Sequence, residues 1–383
     1  MKLQLRPADS SRISGEASIF LDLLRLVSAM TVLICHIGIV LTQRPHQDQR
    51  IIIHDPHVID NLYKASHSAV IVFFALSGFV ISYTTINKRR DVWQYTQARL
   101  SRLYSVLIPA LLLSAAIECL LSVVAPDILG ENTRGPTLLR FLLAGTYLNE
   151  IWFFSAAPPI DRPLWSLSYE FWYYVIFGLW LYRGRSTLSI GLPLVACLVA
   201  GPKILALFPI WLMGCVACRL PRLQLSPRTA WLTIFLIAIL TIVEISVVPL
   251  SPSMGQPPLF MSSSFATDYL AGLLIGAVLW LLPSADIFVH GAATISKFRK
   301  YGDLTFSIYL LHLPLIILFS GIFTPTTFGD LVAIGFAVTV LATLLGFYLE
   351  RNRAFWNDFF AMFMKNLRHL INRMQTRGET DKT

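Results

Sequence analysis

Charge is what this chain has least of. Only 14% of its 383 residues are Asp, Glu, Lys or Arg, whereas 55% are hydrophobic. A water-soluble domain of this length needs far more charge to cover its surface, so that class is excluded and an integral membrane protein is expected. Acid is scarcer than base: 22 carboxylates stand against 31 Lys and Arg, a balance of +9. The basic residues cluster between apolar runs, which points to cytoplasmic loops and gives no reason to expect a nucleic-acid partner. Cysteine is also sparse. All five (Cys35, Cys119, Cys197, Cys215 and Cys218) lie in or at the ends of apolar segments. No disulfide framework is implied, and Cys215-Val-Ala-Cys218 reads as packing rather than a redox pair. No clear internal repeat is present. No small-residue cleavage site follows the first apolar run, which therefore reads as an uncleaved helix.

Apolar runs, by contrast, are plentiful. They predict helices near 18–41, 66–86, 103–125, 165–182, 187–201, 204–219, 229–250, 266–283, 303–322 and 330–349. An eleventh piece, 138–155, is shorter and broken by Gly145, Asn149 and Glu150. If it crossed the membrane, the clusters Arg219–Arg228 and Lys297–Lys300 would be exported. If it is re-entrant or lies on the outer face, every basic cluster falls inside. The expectation is an all-α polytopic protein of the cell (inner) membrane, with ten crossings and both termini cytoplasmic. The two shortest crossings, 187–201 and 204–219, strain that count, since about 20 residues are normally needed. Residues 1–350 form the membrane unit. Residues 351–383 read as a basic amphipathic tail that anchors at the interface and is disordered at its acidic end.

Ionisable groups inside such segments are costly and need a partner, a cavity or a function. Within "LDLLRLVSAMTVLICH", Asp22 and Arg25 open the span and His36 lies in its far half. Arg25 and His36 are eleven positions apart, which leaves them within roughly 20° of one helix face and about 16 Å apart along it. Trp165-Ser-Leu-Ser-Tyr-Glu170 brings Glu170 to a depth similar to that of His36. A carboxylate beside an imidazole can orient it for general-base work, and Ser166 lies one turn from Glu170. An aromatic belt at the interface accounts for part of Trp165, Tyr169, Trp172 and Tyr173, but not for Glu170. Tyr309-Leu-Leu-His312 places a second imidazole at mid-depth, beside a carbonyl freed by Pro314. Ser77-Gly78 is a small-residue notch suited to close helix packing. Arg99 and Arg102, one turn apart, present two guanidinium forks suited to phosphates. Lys88 to Arg90 read as ordinary loop charge, and Glu118, Glu244 and Asp268 have no motif around them.

The stretches "LDLLRLVSAMTVLICH", "FFALSGFVIS", "QARLSRLYSVLIP", "PLWSLSYEFWYY" and "LTFSIYLLH" occur in the order seen in the acyltransferase 3 family, which the chain resembles over about residues 15–350. Members are membrane-bound acyltransferases that O-acylate exported sugars. The resemblance implies ten membrane helices, in agreement with the charge-bias count. It maps the family's spaced arginine and histidine onto Arg25 and His36, and its two-arginine motif onto Arg99 and Arg102. It departs at Leu23, where a glycine is common, at Ser105, where a proline is usual, and at the final "LERNR".

The resemblance implies an acyl-CoA donor, acetyl-CoA foremost, with no permanently bound cofactor and no metal. Arg25, Arg99 and Arg102 would hold its phosphates. His36, oriented by Glu170, would act as base or carry the acyl group. Asp22, Ser77, Trp165, Ser166, Tyr309 and His312 would support the site. The partners would be a glycan or glycolipid acceptor and the lipid bilayer. The rival reading is a secondary transporter whose His and Glu form a proton relay, although paired broken helices are not evident.

Overall fold

In the computed structural model, the described residues are 5–6, 16–42, 56–88, 90–184, 187–223, 225–250, 255–282, 292–323, 325 and 327–380. They form twelve α-helices. The helices are α1 (Glu16–Thr42), α2 (Pro56–Lys88), α3 (Val92–Val124), α4 (Pro126–Asn132), α5 (Thr137–Gly145) and α6 (Leu164–Leu181). They continue as α7 (Thr187–Arg219), α8 (Pro227–Val247), α9 (Phe265–Leu281), α10 (Ala292–Ile322), α11 (Phe328–Arg351) and α12 (Arg353–Thr380). One two-residue strand pair, Leu5–Arg6 with Arg222–Leu223, joins the N-terminal segment to the end of α7. Among the described residues, seven helices are long and apolar enough to cross a membrane, and α9 is a shorter apolar one. The chain is an all-α polytopic membrane protein.

Lipid removes most of the hydrophobic drive between helices, so close packing and buried polar contacts must hold the bundle. In their most apolar windows α2 and α10 are 72% buried, against 17% for α8, so α2 and α10 are central and α8 faces lipid. α1 packs against both central helices, and α2 also packs against α7 and α9. The closest approach is made at two glycines. A Cβ on Gly78 of α2 would lie 1.9 Å from the Trp211 carbonyl oxygen, and one on Gly214 of α7 would lie 1.9 Å from that of Ala75. The notch expected at Ser77-Gly78 is therefore a backbone-to-backbone contact, closed by the Cys215 thiol against the Gly78 carbonyl at 3.2 Å.

The short crossings expected at 187–201 and 204–219 are the two arms of α7. They meet at Gly201, whose φ of 82° and ψ of 174° belong to no helix. Only glycine adopts that conformation readily. A Cβ there would also lie 2.6 Å from the Trp152 Cα. Ser189 and Leu192 of the first arm share a groove with Tyr182 and Arg183. Arg219, ending the second arm, stands 5.9 Å over the Phe177 ring and donates to Ser82 at 3.0 Å. Both outer ends therefore lie at the same end of the bundle, and the arms rise about 21 and 27 Å from it. The element is a helical hairpin, its two arms lying where the two short crossings were expected.

The segment 138–155 does not cross. Its only helix, α5, has nine residues, about 14 Å at the helical rise or half a bilayer core. Beyond it the chain turns irregularly to Pro163 and is pinned from within. Lys203, at the α7 turn, is fully buried and pairs with Glu150 and the Phe154 carbonyl. Burial pushes the Glu150 carboxyl up, and Lys203 opposes that push. Asn149 accepts from Ser168. Asn149 and Glu150 are 0% and 1% exposed, so neither is free at an outer mouth. Trp165, Tyr169, Trp172 and Tyr173 are likewise buried among helices rather than set in an interfacial belt. α12 is amphipathic, lies along α3 and continues to Thr380.

Candidate active site

A cavity of about 460 Å³ runs between α1, α2, α3, α6 and α10. Its basic end is lined by Arg25, Arg90, Arg99, Arg102 and Arg353, together with Asp22. Its other end is closed by Ser166 and Tyr309, among Val70, Phe73, Phe74 and Leu167. The arginines come from four parts of the chain: α1, the α2–α3 connection, α3 and the first residue of α12.

Local structure sets each of them. Asp91 caps α3 by accepting from the Gln94 backbone, with Gln94 reaching back in a capping box, so α3 starts at Val92, about two turns before Arg99. The Arg99 guanidinium lies 5.8 and 5.7 Å from the rings of Tyr95 and Tyr174. Its Nε is buried without a hydrogen-bond partner, an uncommon state that favours an anionic ligand. Arg102 stands 5.6 Å over the Phe306 ring. Arg25 donates to Asp22 at 2.9 Å. Gly302 of α10 leaves room for that carboxylate, since a Cβ there would lie 2.5 Å from the Asp22 Oδ1. Burial and the neighbouring Arg99 hold Arg90 below the usual guanidinium range.

Beyond the closed end lies a relay of imidazoles. His36 Nδ1 is 2.6 Å from His312 Nε2, with the rings stacked 12° from parallel. His312 Nδ1 lies 2.6 Å from the Tyr309 carbonyl. A carbonyl can only accept, so His312 Nδ1 carries the proton and, in the neutral ring, its Nε2 is the acceptor. His36 Nδ1 then donates to it. That leaves His36 Nε2 as an acceptor, to which the Ser66 hydroxyl donates at 3.3 Å. Tyr309 joins this relay to the cavity. Its hydroxyl is 2.7 Å from Ser166 Oγ, which itself donates to the Pro163 carbonyl at 3.1 Å.

Glu170 does not orient His36, contrary to the expectation from depth alone. Ser77 donates to Glu170 Oε1 at 2.6 Å, Tyr174 donates to the same oxygen, and the Trp211 indole donates to Ser77 at 3.1 Å. The carboxylate lines the middle of the cavity, and His312 takes the orienting role. Nor is Ser166 a partner of Glu170: it faces Tyr309. The carbonyl used by His312 is that of Tyr309, one residue before the one Pro314 releases. Trp165 packs against Phe74 and stacks on His67, 6.3 Å between centroids.

Other polar groups escaped the motif reading. His67, next to Ser66, donates to both oxygens of Asp268 at 3.0 Å, which gives Asp268 its partner. Glu118 lies near Asp161, whose carboxyl burial pushes well above its ordinary range and which accepts from Ser114 at 3.3 Å. Arg90 and Arg353 also line the cavity, although their loop and tail positions suggested only surface charge. Among the described residues, no three His, Cys, Asp or Glu side chains are grouped to hold a metal.

The sequence profile of the acyltransferase domain matches residues 18–351. "Acyltransferase MdmB" of Streptomyces mycarofaciens is 28% identical over 157 residues, covering 41% of this chain and 37% of that protein. The chain thus matches little more than a third of that relative's length. No solved structure matches.

Proposed function

Because the chain belongs to the acyltransferase 3 family, we propose that it moves an acyl group, acetyl foremost, from a cytoplasmic acyl-CoA to a hydroxyl of an exported or cell-envelope saccharide. One observation carries the reading: a single cavity leads from five arginines to the Ser166–Tyr309 pair beneath His36 and His312. The donor's phosphates bind at Arg25, Arg99 and Arg102, and its arm lies along the cavity. Glu170, with Oε1 held by two hydroxyls, has Oε2 to accept from an amide N–H of that arm.

The acceptor enters from the other side. His36 Nε2 takes the proton of its hydroxyl as the oxygen attacks the thioester carbonyl. The C–O bond forms, the C–S bond breaks, and the leaving thiolate takes up the proton from His36. The imidazolium is stabilised because His36 Nδ1–H keeps its acceptor on His312. One positioned base accounts for a factor of about 10² to 10⁴ in rate.

Two results are expected. Arg99→Ala and Arg102→Ala should each weaken the donor's apparent affinity about tenfold or more, since charge-assisted phosphate bonds contribute about 1.5–3 kcal/mol each. Steady-state kinetics should leave the acceptor's affinity unchanged, and a shift there instead would remove these arginines from the donor site. The membrane orientation follows from the same reading, with both termini and the arginine end cytoplasmic. Single cysteines at the exposed positions Gly135, Phe154 and Leu220 should be probed in intact cells with an impermeant thiol reagent. Labelling at 135 and 154 with protection at 220 is expected; the reverse pattern would invert the protein and the donor side with it.

A further inference from the structure

The tail helix α12 reads as an anchor, yet its first residue lines the cavity. Arg353 lies there with Arg90 from the α2–α3 connection, near the ends of α2 and α3. α12 is fastened in place by contacts to α3. Gln97 donates to the Asn357 side chain at 3.1 Å, Ser101 is 3.4 Å from the Trp356 carbonyl, and Tyr104 packs on Phe360 at 5.5 Å between centroids. Holding a helix start this firmly beside a cluster of arginines is costly unless something anionic binds there, because like charges repel.

The arginines are graded in depth. Arg99 Nε is buried, the Arg25 side chain is 19% exposed and that of Arg353 is 34% exposed. Arg353 also donates to Glu350 at 2.7 Å, which holds its guanidinium in place at the mouth. A CoA thioester carries two separate phosphate groups: a diphosphate at the base of its arm and a ribose 3′-phosphate beyond it. With the thioester at the Ser166–Tyr309 end, the 3′-phosphate is the phosphate group farther from the chemistry and nearer the mouth.

Resting on the donor reading above, we infer that Arg353 and Arg90 form a second anion subsite that binds the 3′-phosphate of coenzyme A, so that α12 completes the donor site. The subsite makes the enzyme selective for CoA over otherwise identical carriers that lack this phosphate. Arg99, Arg102 and Arg25 remain with the diphosphate.

The test is titration calorimetry of the full chain in detergent with CoA and with 3′-dephospho-CoA. Wild type should bind CoA about tenfold more tightly, the scale of one charge-assisted bond at a partly exposed site. Arg353→Ala should bring the two affinities to within about threefold by weakening CoA alone. Unchanged binding of dephospho-CoA reports that the variant is folded. Arg353→Gln, which keeps most of the side chain, should behave alike. Arg90→Ala should also lower the ratio. Arg99→Ala should weaken both ligands and keep their ratio. Equal binding of the two ligands by wild type, or an unaltered ratio in Arg353→Ala, would overturn the subsite. If CoA binds with this selectivity but no acyl transfer is found, the proposed function fails and the subsite stands. If neither ligand binds, both fail.

Discussion

His36→Ala should lower acyl transfer at least about a hundredfold while the protein inserts, purifies and melts like wild type. The rate loss is the lower bound expected for removing a positioned general base. Stability should survive because the imidazole bonds to the rest of the bundle through His312 and Ser66. Hydrogen bonds within membrane bundles average about 0.6 kcal/mol in stability. His312→Ala should be milder in rate but distinct in kind. It removes the acceptor that stabilises His36 as an imidazolium, so the pH profile should move as well as the rate. Glu170→Gln should raise the donor KM and leave the pH profile alone, because Glu170 faces Ser77 and Tyr174 rather than the imidazoles. A Glu170→Gln variant with a shifted pH profile and an unchanged donor KM would restore Glu170 to the base.

Gly214→Ala should be among the most damaging single-methyl changes at the described glycines. The added Cβ would stand 1.9 Å from the Ala75 carbonyl oxygen and 2.9 Å from the Phe79 nitrogen. Both are backbone atoms of α2, so no side-chain rotation relieves the clash and the helices must separate by more than an ångström. Overpacking usually costs about 1–3 kcal/mol, and a rigid backbone contact belongs at or above the upper figure. Separation also moves Trp211 from Ser77 and so loosens the hold on Glu170. The expected outcome is low accumulation, a melting temperature in detergent lowered by several degrees, and weakened CoA binding. Gly130→Ala is the control, because a Cβ there meets nothing within 4 Å. Normal melting of Gly214→Ala would show that the α2–α7 contact is looser than described.

What could be read from the sequence and what could not divide along a physical line. Span and depth follow from hydropathy and charge, which act along the helix axis. The all-α polytopic build, the short helix and irregular chain of 138–155 and the placing of both His36 and His312 inside apolar helices were therefore legible. Rotation about the axis and the choice of neighbour are set by packing, and they were not. Glu170 was expected at the depth of His36, yet it bonds Ser77 whereas His36 bonds Ser66, eleven residues away on α2 and about 16 Å off along that helix. The His36–His312 contact joins residues 276 positions apart, through the packing of α1 on α10. Arg90 and Arg353 look like any other loop arginines until α12 is laid on α3. Lys203 carried a signal that charge patterning could have used: it is a lysine at the turn of two short crossings, on the side where positive charge is disfavoured. Gly201-Pro202 marked that turn.

Acyl transfer from CoA by way of His36 is tested most directly by supplying labelled acetyl-CoA to the cytoplasmic face of inside-out membrane vesicles that contain the chain and its native glycans. Wild-type vesicles should show alkali-labile label in the glycan fraction, and His36→Ala vesicles at equal protein level at least about a hundredfold less. Equal ester label in the two, or none in wild type while the glycan is present, would contradict it.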